Sequence, residues 1–193
     1  MTANVFAKDI LDWTELPELP AQLGVAGPFA GVSNDALIVA GGTNFPNGAP
    51  WNGGGKVWYD DIYVLEKGAD EWRTGFSLPR PLAYGASVTT DGGLICIGGC
   101  DGDRCYRDMF MLNWNPVSGE IETESLPSLP EPLAFMSAAR IGDVVYVAGG
   151  QSTMTDAAAT NNFWSLSLAD GGQWTKLPSC DGPSRILPVL AAQ

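Results

Sequence analysis

Three times the chain runs an apolar strand into a pair of glycines: LIVAGG (37–42), LICIGG (94–99) and VYVAGG (145–150). The pairs start at residues 41, 98 and 149, intervals of 57 and 51, and self-similarity at a period of about 50 residues marks propellers and related arrays. Each copy has the same surroundings. Upstream lie a small-residue strand and a turn, FAGVSND (29–35), YGASVTTDGG (84–93) and FMSAARIGD (135–143). Downstream comes a second apolar strand, DDIYVL (60–65), RDMFML (107–112) and NNFWSL (161–166), and then an outer strand with Trp72 or Trp174, Ile121 standing in the matching place of the middle unit. Four short antiparallel strands joined by turns make one blade of a β-propeller. The repeat predicts blades over 29–76, 84–126 and 135–178 within a single domain, 1–193. Neither glycine of a pair carries a Cβ, which allows a sharp turn and a close approach of neighbouring chain. Each Trp supplies apolar surface between blades.

Composition agrees with strands and turns. The chain has 24 Gly and 14 Pro among 193 residues, 45% apolar content, and no sustained i, i+3, i+4 pattern. A net charge of −12 argues against nucleic acid and against an anionic membrane as partners, while a small anion held by a few focused Arg is compatible with it. There is no histidine. General acids and bases must then be Asp, Glu, Lys, Tyr or Cys, and a His-based triad or His-ligated metal is excluded within the chain. Of the four cysteines, Cys96, Cys100, Cys105 and Cys180, most read as small buried or turn residues, and C-x4-C at Cys100 and Cys105 without a second pair is a poor zinc pattern. MTANVFAKDILDWTELP has no apolar core of signal-peptide length, so a cytoplasmic chain is expected.

An apolar strand ending in Gly-Gly, a spaced aromatic strand and a Trp resemble the kelch repeat, from Trp13 to Gln193. The resemblance implies an all-β, kelch-type β-propeller, and kelch propellers include enzymes and binding scaffolds alike. Strand counting gives about three of six four-stranded blades plus flanking strands: an outer strand DWTELPEL (12–19), three blades, and ILPVLAAQ (186–193) as the innermost strand of a further blade. Such an arc leaves two blade-sized apolar flanks. The expected partner there is a complementary half-propeller, or a second copy through self-association.

Between the second and third strands of the first blade lies a long loop, Thr43 to Trp58. In a propeller such loops gather at one mouth of the central channel. It is no phosphate loop, because Gly55-Lys56 is followed by Val57 and the required earlier Gly is Pro50. It does offer Asn44, Phe45, Trp51, Asn52, Lys56 and Trp58. Aromatic faces beside amides and a cation suit a sugar, ring against C–H groups and side-chain dipoles against hydroxyls. The same aromatics would equally pin a long loop to its blade, and the residues alone fit either role.

The run GPFAGVSNDALIVAGGTNFPNGAPWNGGGKVWYDDIYVL, followed by LPRPLAYGASVTTDGGLICIGGCDGDRCYRDMFML, is similar to the N-acetylneuraminate epimerase (sialic acid mutarotase) group of kelch proteins, and within it to the cyclically permuted mutarotase subgroup. The resemblance implies a six-bladed isomerase that interconverts the α and β anomers of N-acetylneuraminic acid, without metal or cofactor. One group deprotonates the anomeric hydroxyl and another protonates the ring oxygen; the ring opens, and closure on the other face reverses the roles. An Arg would hold the carboxylate of this sugar acid. Arg80 and Tyr84 in LPRPLAYG, Arg104, and Arg185 in GPSRILP join the loop residues as expected substrate contacts, with Asp101 as the acid/base candidate. The family's own acidic residue and Arg for the chemistry are expected in a blade beyond Gln193, and position 100, after Gly98-Gly99, is Cys rather than Glu. The resemblance thus implies a binding wall with an incomplete catalytic set. A non-catalytic kelch interaction module and an inactive fragment are the alternatives.

Overall fold

In the first unit, Phe29–Ser33 (β1) and Ala36–Ala40 (β2) form a hairpin with Phe29 opposite Ala40. Its turn residues Asn34 and Asp35 have φ of 46° and 59°, the left-handed region that Asn and Asp tolerate better than most residues. Past the glycine pair, Thr43–Asn44 (β3) pairs with Val57–Trp58 (β4), so the long loop is itself a hairpin, with a 3-10 turn at Pro50–Asn52 near its tip. The chain returns as Asp61–Glu66 (β5) and Arg73–Ser77 (β6), giving a sheet in the order β1-β2-β5-β6. Ala86–Thr90 (β7), Gly93–Ile97 (β8), Met109–Asn115 (β9) and Glu120–Leu126 (β10) make the second blade. Ser137–Ile141 (β11), Val144–Ala148 (β12), Phe163–Ser167 (β13) and Trp174–Leu177 (β14) make the third. This computed structural model describes residues 13–21, 23–154, 159–169 and 172–192. Among them no helix is long and apolar enough to cross a membrane. The expected partial propeller is therefore formed, three blades in an arc.

The cores lie between blades. Leu94 and Cys96 of β8 pack with Phe29, Ile38, Ile62 and Val64 of the first blade, while Ile95 and Ile97 pack with Val145, Val147 and Leu166 of the third. Side chains alternate across a strand, so a strand covered on both faces is buried throughout and one covered on a single face alternates. β8 is buried at all five positions; β2 alternates, and Val144 and Tyr146 on β12 stay half-exposed. Among the described residues, only the middle blade is covered on both faces. The outer Trp residues tie the first and third blades to the segment before each: Trp72 Nε1 donates to Pro17 O at 3.0 Å and Trp174 Nε1 to Pro127 O at 2.9 Å.

The glycine pairs are explained by the linker that crosses them. A Cβ on Gly41 would sit 2.2 Å from Leu82 O, and one on Gly98 2.4 Å from Leu133 O. The second glycine of each pair donates to the same carbonyls, Gly42 N to Leu82 O and Gly99 N to Leu133 O, both at 2.8 Å. Two residues further along these linkers a second connection runs from unit to unit. Tyr84 N donates to Gly27 O, Phe135 N to Tyr84 O and Leu187 N to Phe135 O, at 2.8, 2.8 and 2.7 Å. All four residues are left-handed, with φ of 62°, 58°, 57° and 50°. For Tyr84, Phe135 and Leu187 that conformation costs about 1–2 kcal/mol each. Each inter-blade hydrogen bond returns about 0.5–1.5 kcal/mol, and the Tyr84 and Phe135 rings stack at 4.5 Å.

The two flanking strands expected from the sequence are not formed. Residues 13–19 and 186–192 have no ladder pairing, and the end positions 12 and 193 lie outside the described residues. The physical reason is the lack of a partner: each would belong to a blade whose other strands these residues do not supply, and an unpaired strand leaves its backbone groups to water. The entry to the fourth unit is nonetheless in place, since Leu187 takes the same left-handed position as Tyr84 and Phe135. Apolar side chains remain open at both ends, Trp13, Leu16 and Leu23 at one, Ile186, Leu187 and Val189 at the other.

The linker contact makes a specific demand on Gly98. Gly98→Ala should lose about 2–4 kcal/mol in urea unfolding, against about 1 kcal/mol for Gly119→Ala, where φ is also positive but nothing lies within 4 Å. Equal losses would mean that backbone conformation alone, and not the crossing linker, requires the glycine.

Candidate functional site

The first and third strands of every blade run away from the glycine pairs, the second and fourth toward them. Loops after the glycine pairs and linkers between blades therefore share one mouth. Every candidate contact named from the sequence lies on these segments. They fall into two adjoining groups and three outliers.

The first group surrounds Lys56. Its ammonium donates to Tyr84 Oη at 2.7 Å and lies 4.4, 5.2 and 5.8 Å from the ring centroids of Tyr84, Trp58 and Phe45. No carboxylate is within ion-pair distance of it among the described residues. Tyr84 is held on both faces: it stacks on Phe135, and a Cβ on Gly27 would come 2.5 Å from its ring, so position 27 must be glycine. An ammonium only donates, so the Tyr84 oxygen is the acceptor and its own proton is directed elsewhere.

The second group surrounds Tyr106. Its hydroxyl donates to Asp101 Oδ2, and its ring lies 4.5 Å from the Arg80 guanidinium and 5.0 Å from that of Arg104. Asp101 Oδ1 accepts from the backbone N–H of Asp103 and Arg104 at 2.8 and 3.0 Å. Partial burial pushes the Asp101 carboxyl up, but the Tyr106 hydroxyl, the two backbone donors and the Arg104 charge together hold it below the ordinary carboxylate value. Arg80 is ion-paired with Asp108 at 2.5 Å, and the two line a cavity of about 190 Å³ between the linker at 78–82 and strands β9 and β10 of the second blade. Between the groups sits a tight turn in which Cys100 pairs with Cys105, and the Trp58 ring lies against Gly102 of that turn. Burial pushes the two thiols up to about 12 and about 11, so both are protonated at neutral pH.

The outliers are equally clear. Asn44 has both ends of its amide engaged, accepting from Tyr59 Oη at 2.6 Å and donating to Gly24 O at 2.8 Å. Trp51 projects from the loop tip, 84% exposed. Arg185 folds back on its own loop, donating to Pro183 O at 3.0 Å and Asp181 O at 3.2 Å.

A family model described as N-acetylneuraminate epimerase matches residues 1–118, more than half of the chain. The chain belongs to the N-acetylneuraminate epimerase family. The N-acetylneuraminate epimerase of Brucella suis is 36% identical over 127 residues, which is 57% of this chain and 32% of that protein. That of Vibrio cholerae is 39% identical over 125 residues, 56% of this chain and 32% of the relative. The chain thus spans about a third of the length of these curated members. The solved structure of YjhT superposes with a TM-score of 0.72 over 90% of this chain and 57% of its own, at 14% identity. A likeness at that identity shows the fold alone, the propeller.

Sequence reasoning missed Tyr106 and Phe135, the two rings that organise these groups. The signal for Tyr106 was present in the repeat, since WYDD (58–61) aligns with CYRD (105–108), and Tyr59 serves Asn44 as Tyr106 serves Asp101. The pair also gives a test. In Tyr106→Phe the Asp101 carboxyl loses its strongest donor and should titrate at higher pH, toward the ordinary carboxylate value, in a carbon-detected NMR titration. A depressed group stabilises the fold above its unfolded pKa, and that contribution is lost as the pH falls through its folded value. An unmoved Asp101 titration would show that Tyr106 does not hold it.

Proposed function

We propose that the mouth is the binding wall of a sugar isomerase acting on N-acetylneuraminate, and that the sugar carboxylate is met by Lys56. The observation that carries this reading is the Lys56 ammonium, caged by three aromatic rings, one of them the Tyr84 phenol whose oxygen it bonds, with no described carboxylate to neutralise it. The arginines are less free. Arg80 is already paired with Asp108, and Arg185 is bound to its own loop, which leaves Arg104, exposed beside Tyr106, as the second cation for the acid. A charge-assisted hydrogen bond from Lys56 to the carboxylate would contribute about 1.5–3 kcal/mol. Phe45 and Trp58 offer ring faces to the pyranose.

In this reading the acid/base work is divided by hydrogen-bond inventory. Tyr84, whose oxygen already accepts from Lys56, donates its proton to the ring oxygen. Asp101, held ionised, has no proton to give and supports the base half only, accepting from the anomeric hydroxyl or placing Tyr106 and Arg104 beside it. Further walls would enclose the substrate more fully without supplying the groups named above. Additional blades against the open flanks, in a complementary half-ring or a second copy, would supply them.

Exchange NMR on an equilibrium mixture of N-acetylneuraminate anomers tests the reading. The chain should accelerate α/β exchange, and Tyr84→Phe, which keeps the ring stack, should cut the acceleration by about 100-fold while the sugar lines still broaden on binding. Binding without acceleration by the unaltered chain would sink the isomerase half. No broadening at all would sink the site.

A further inference from the structure

We propose that Cys100 and Cys105 form a disulfide that braces the second mouth loop across its base. The two residues face each other in an isolated antiparallel bridge, and the bonds around them identify its type: Asp101 N donates to Arg104 O at 3.1 Å and Tyr106 N to Gly99 O at 2.8 Å. Both bonds flank the pair, and neither joins Cys100 to Cys105. That makes it a non-hydrogen-bonded pair, the register in which Cα atoms are closest, about 4.5 Å apart, with side chains on the same face. A disulfide requires Cα atoms about 4.4–6.8 Å apart. Burial places both side chains in one cluster, with Ala134 and the partly buried Tyr84, Phe135 and Met154. In the first blade the same register position holds Thr43 opposite Trp58, which cannot cross-link. The brace is thus a property of the second loop, the one that positions Asp101 and Arg104.

The step balances with a small disulfide such as oxidised glutathione as oxidant. The Cys105 thiolate, 6% exposed against 0% for Cys100, attacks one glutathione sulfur, and a glutathione thiolate leaves. The Cys100 thiolate then displaces the second glutathione from the mixed disulfide. Two protein thiols are oxidised, one disulfide is reduced to two thiols, and the two protons end on the glutathiones. The titratable groups facing the pair are Lys56 from the first loop, Asp101 in the turn itself, and Tyr84 from the linker. Burial outweighs the Lys56 charge at Cys100. Thiolate supply therefore limits the reaction, and its rate should rise about tenfold per pH unit between pH 7 and 9.

Trypsin cuts after Arg104, between the two cysteines, so the fragment ending at Arg104 and the fragment Cys105 to Arg107 stay joined only through a disulfide. The chain carrying Cys180→Ser, which removes the exposed competing thiol, is treated with oxidised glutathione, denatured, alkylated and digested without reductant. The expected result is the joined fragment, two hydrogens lighter than the sum of its parts, released by dithiothreitol, with tandem fragmentation placing the bond on Cys100. Alkylated Cys100 and Cys105 in separate fragments would overturn the proposal. So would a bond that fragmentation assigns to Cys96, or one that persists in Cys100→Ala.

Discussion

The hydrogen bond from the head of each inner strand to the unit before it holds the blades in register. Gly27, Tyr84, Phe135 and Leu187 occupy one left-handed position in four successive units, and each amide of the last three reaches the carbonyl of its predecessor. Three of these residues are not glycine, so the conformation is unfavourable locally and survives because packing and hydrogen bonding between blades fix it. The same crossing of linker over glycine pair that sets the blade angle also brings the linkers and second-strand loops to one mouth.

From that constraint the chemistry follows. Tyr84 is at once a member of the inter-blade chain and the residue that bonds Lys56, so the backbone geometry that joins two blades also aims a phenol and an ammonium into the mouth. Phe135, one unit further on, fixes the ring of Tyr84 from the other side. In a chain with a net charge of −12, this ammonium has no carboxylate within ion-pair distance among the described residues. Its neighbours are π faces and a hydroxyl, which orient the ammonium without neutralising it.

Much of the fold was legible in the repeat. LIVAGG, LICIGG and VYVAGG located the blades, and the glycine pairs proved necessary for the close approach inferred from their missing Cβ atoms. The flanking segments 13–19 and 186–192 follow the blade order but carry no ladder pairing, because a strand forms only where a partner is present to pair with it. The site was less legible. Lys56, Trp58, Tyr84 and Phe45 do come together, whereas the partners that engage Arg80 and Asn44, Asp108 and Tyr59, lie 28 and 15 residues away in sequence and are not signalled by any local pattern. Tyr106 and Phe135 escaped notice since each looks like an ordinary aromatic beside a strand. Their importance is a matter of which neighbouring blade they touch, and propensity does not carry that information.

Recognition of an acidic sugar at this mouth depends on the Lys56 charge meeting its carboxylate. Isothermal titration of the chain with N-acetylneuraminate and with its uncharged methyl ester, repeated on Lys56→Met, isolates that contact. The acid should bind about tenfold or more tightly than the ester, about 1.4 kcal/mol, and the preference should vanish in Lys56→Met. Equal binding of acid and ester by the unaltered chain, or a preference that survives loss of the ammonium, would contradict it.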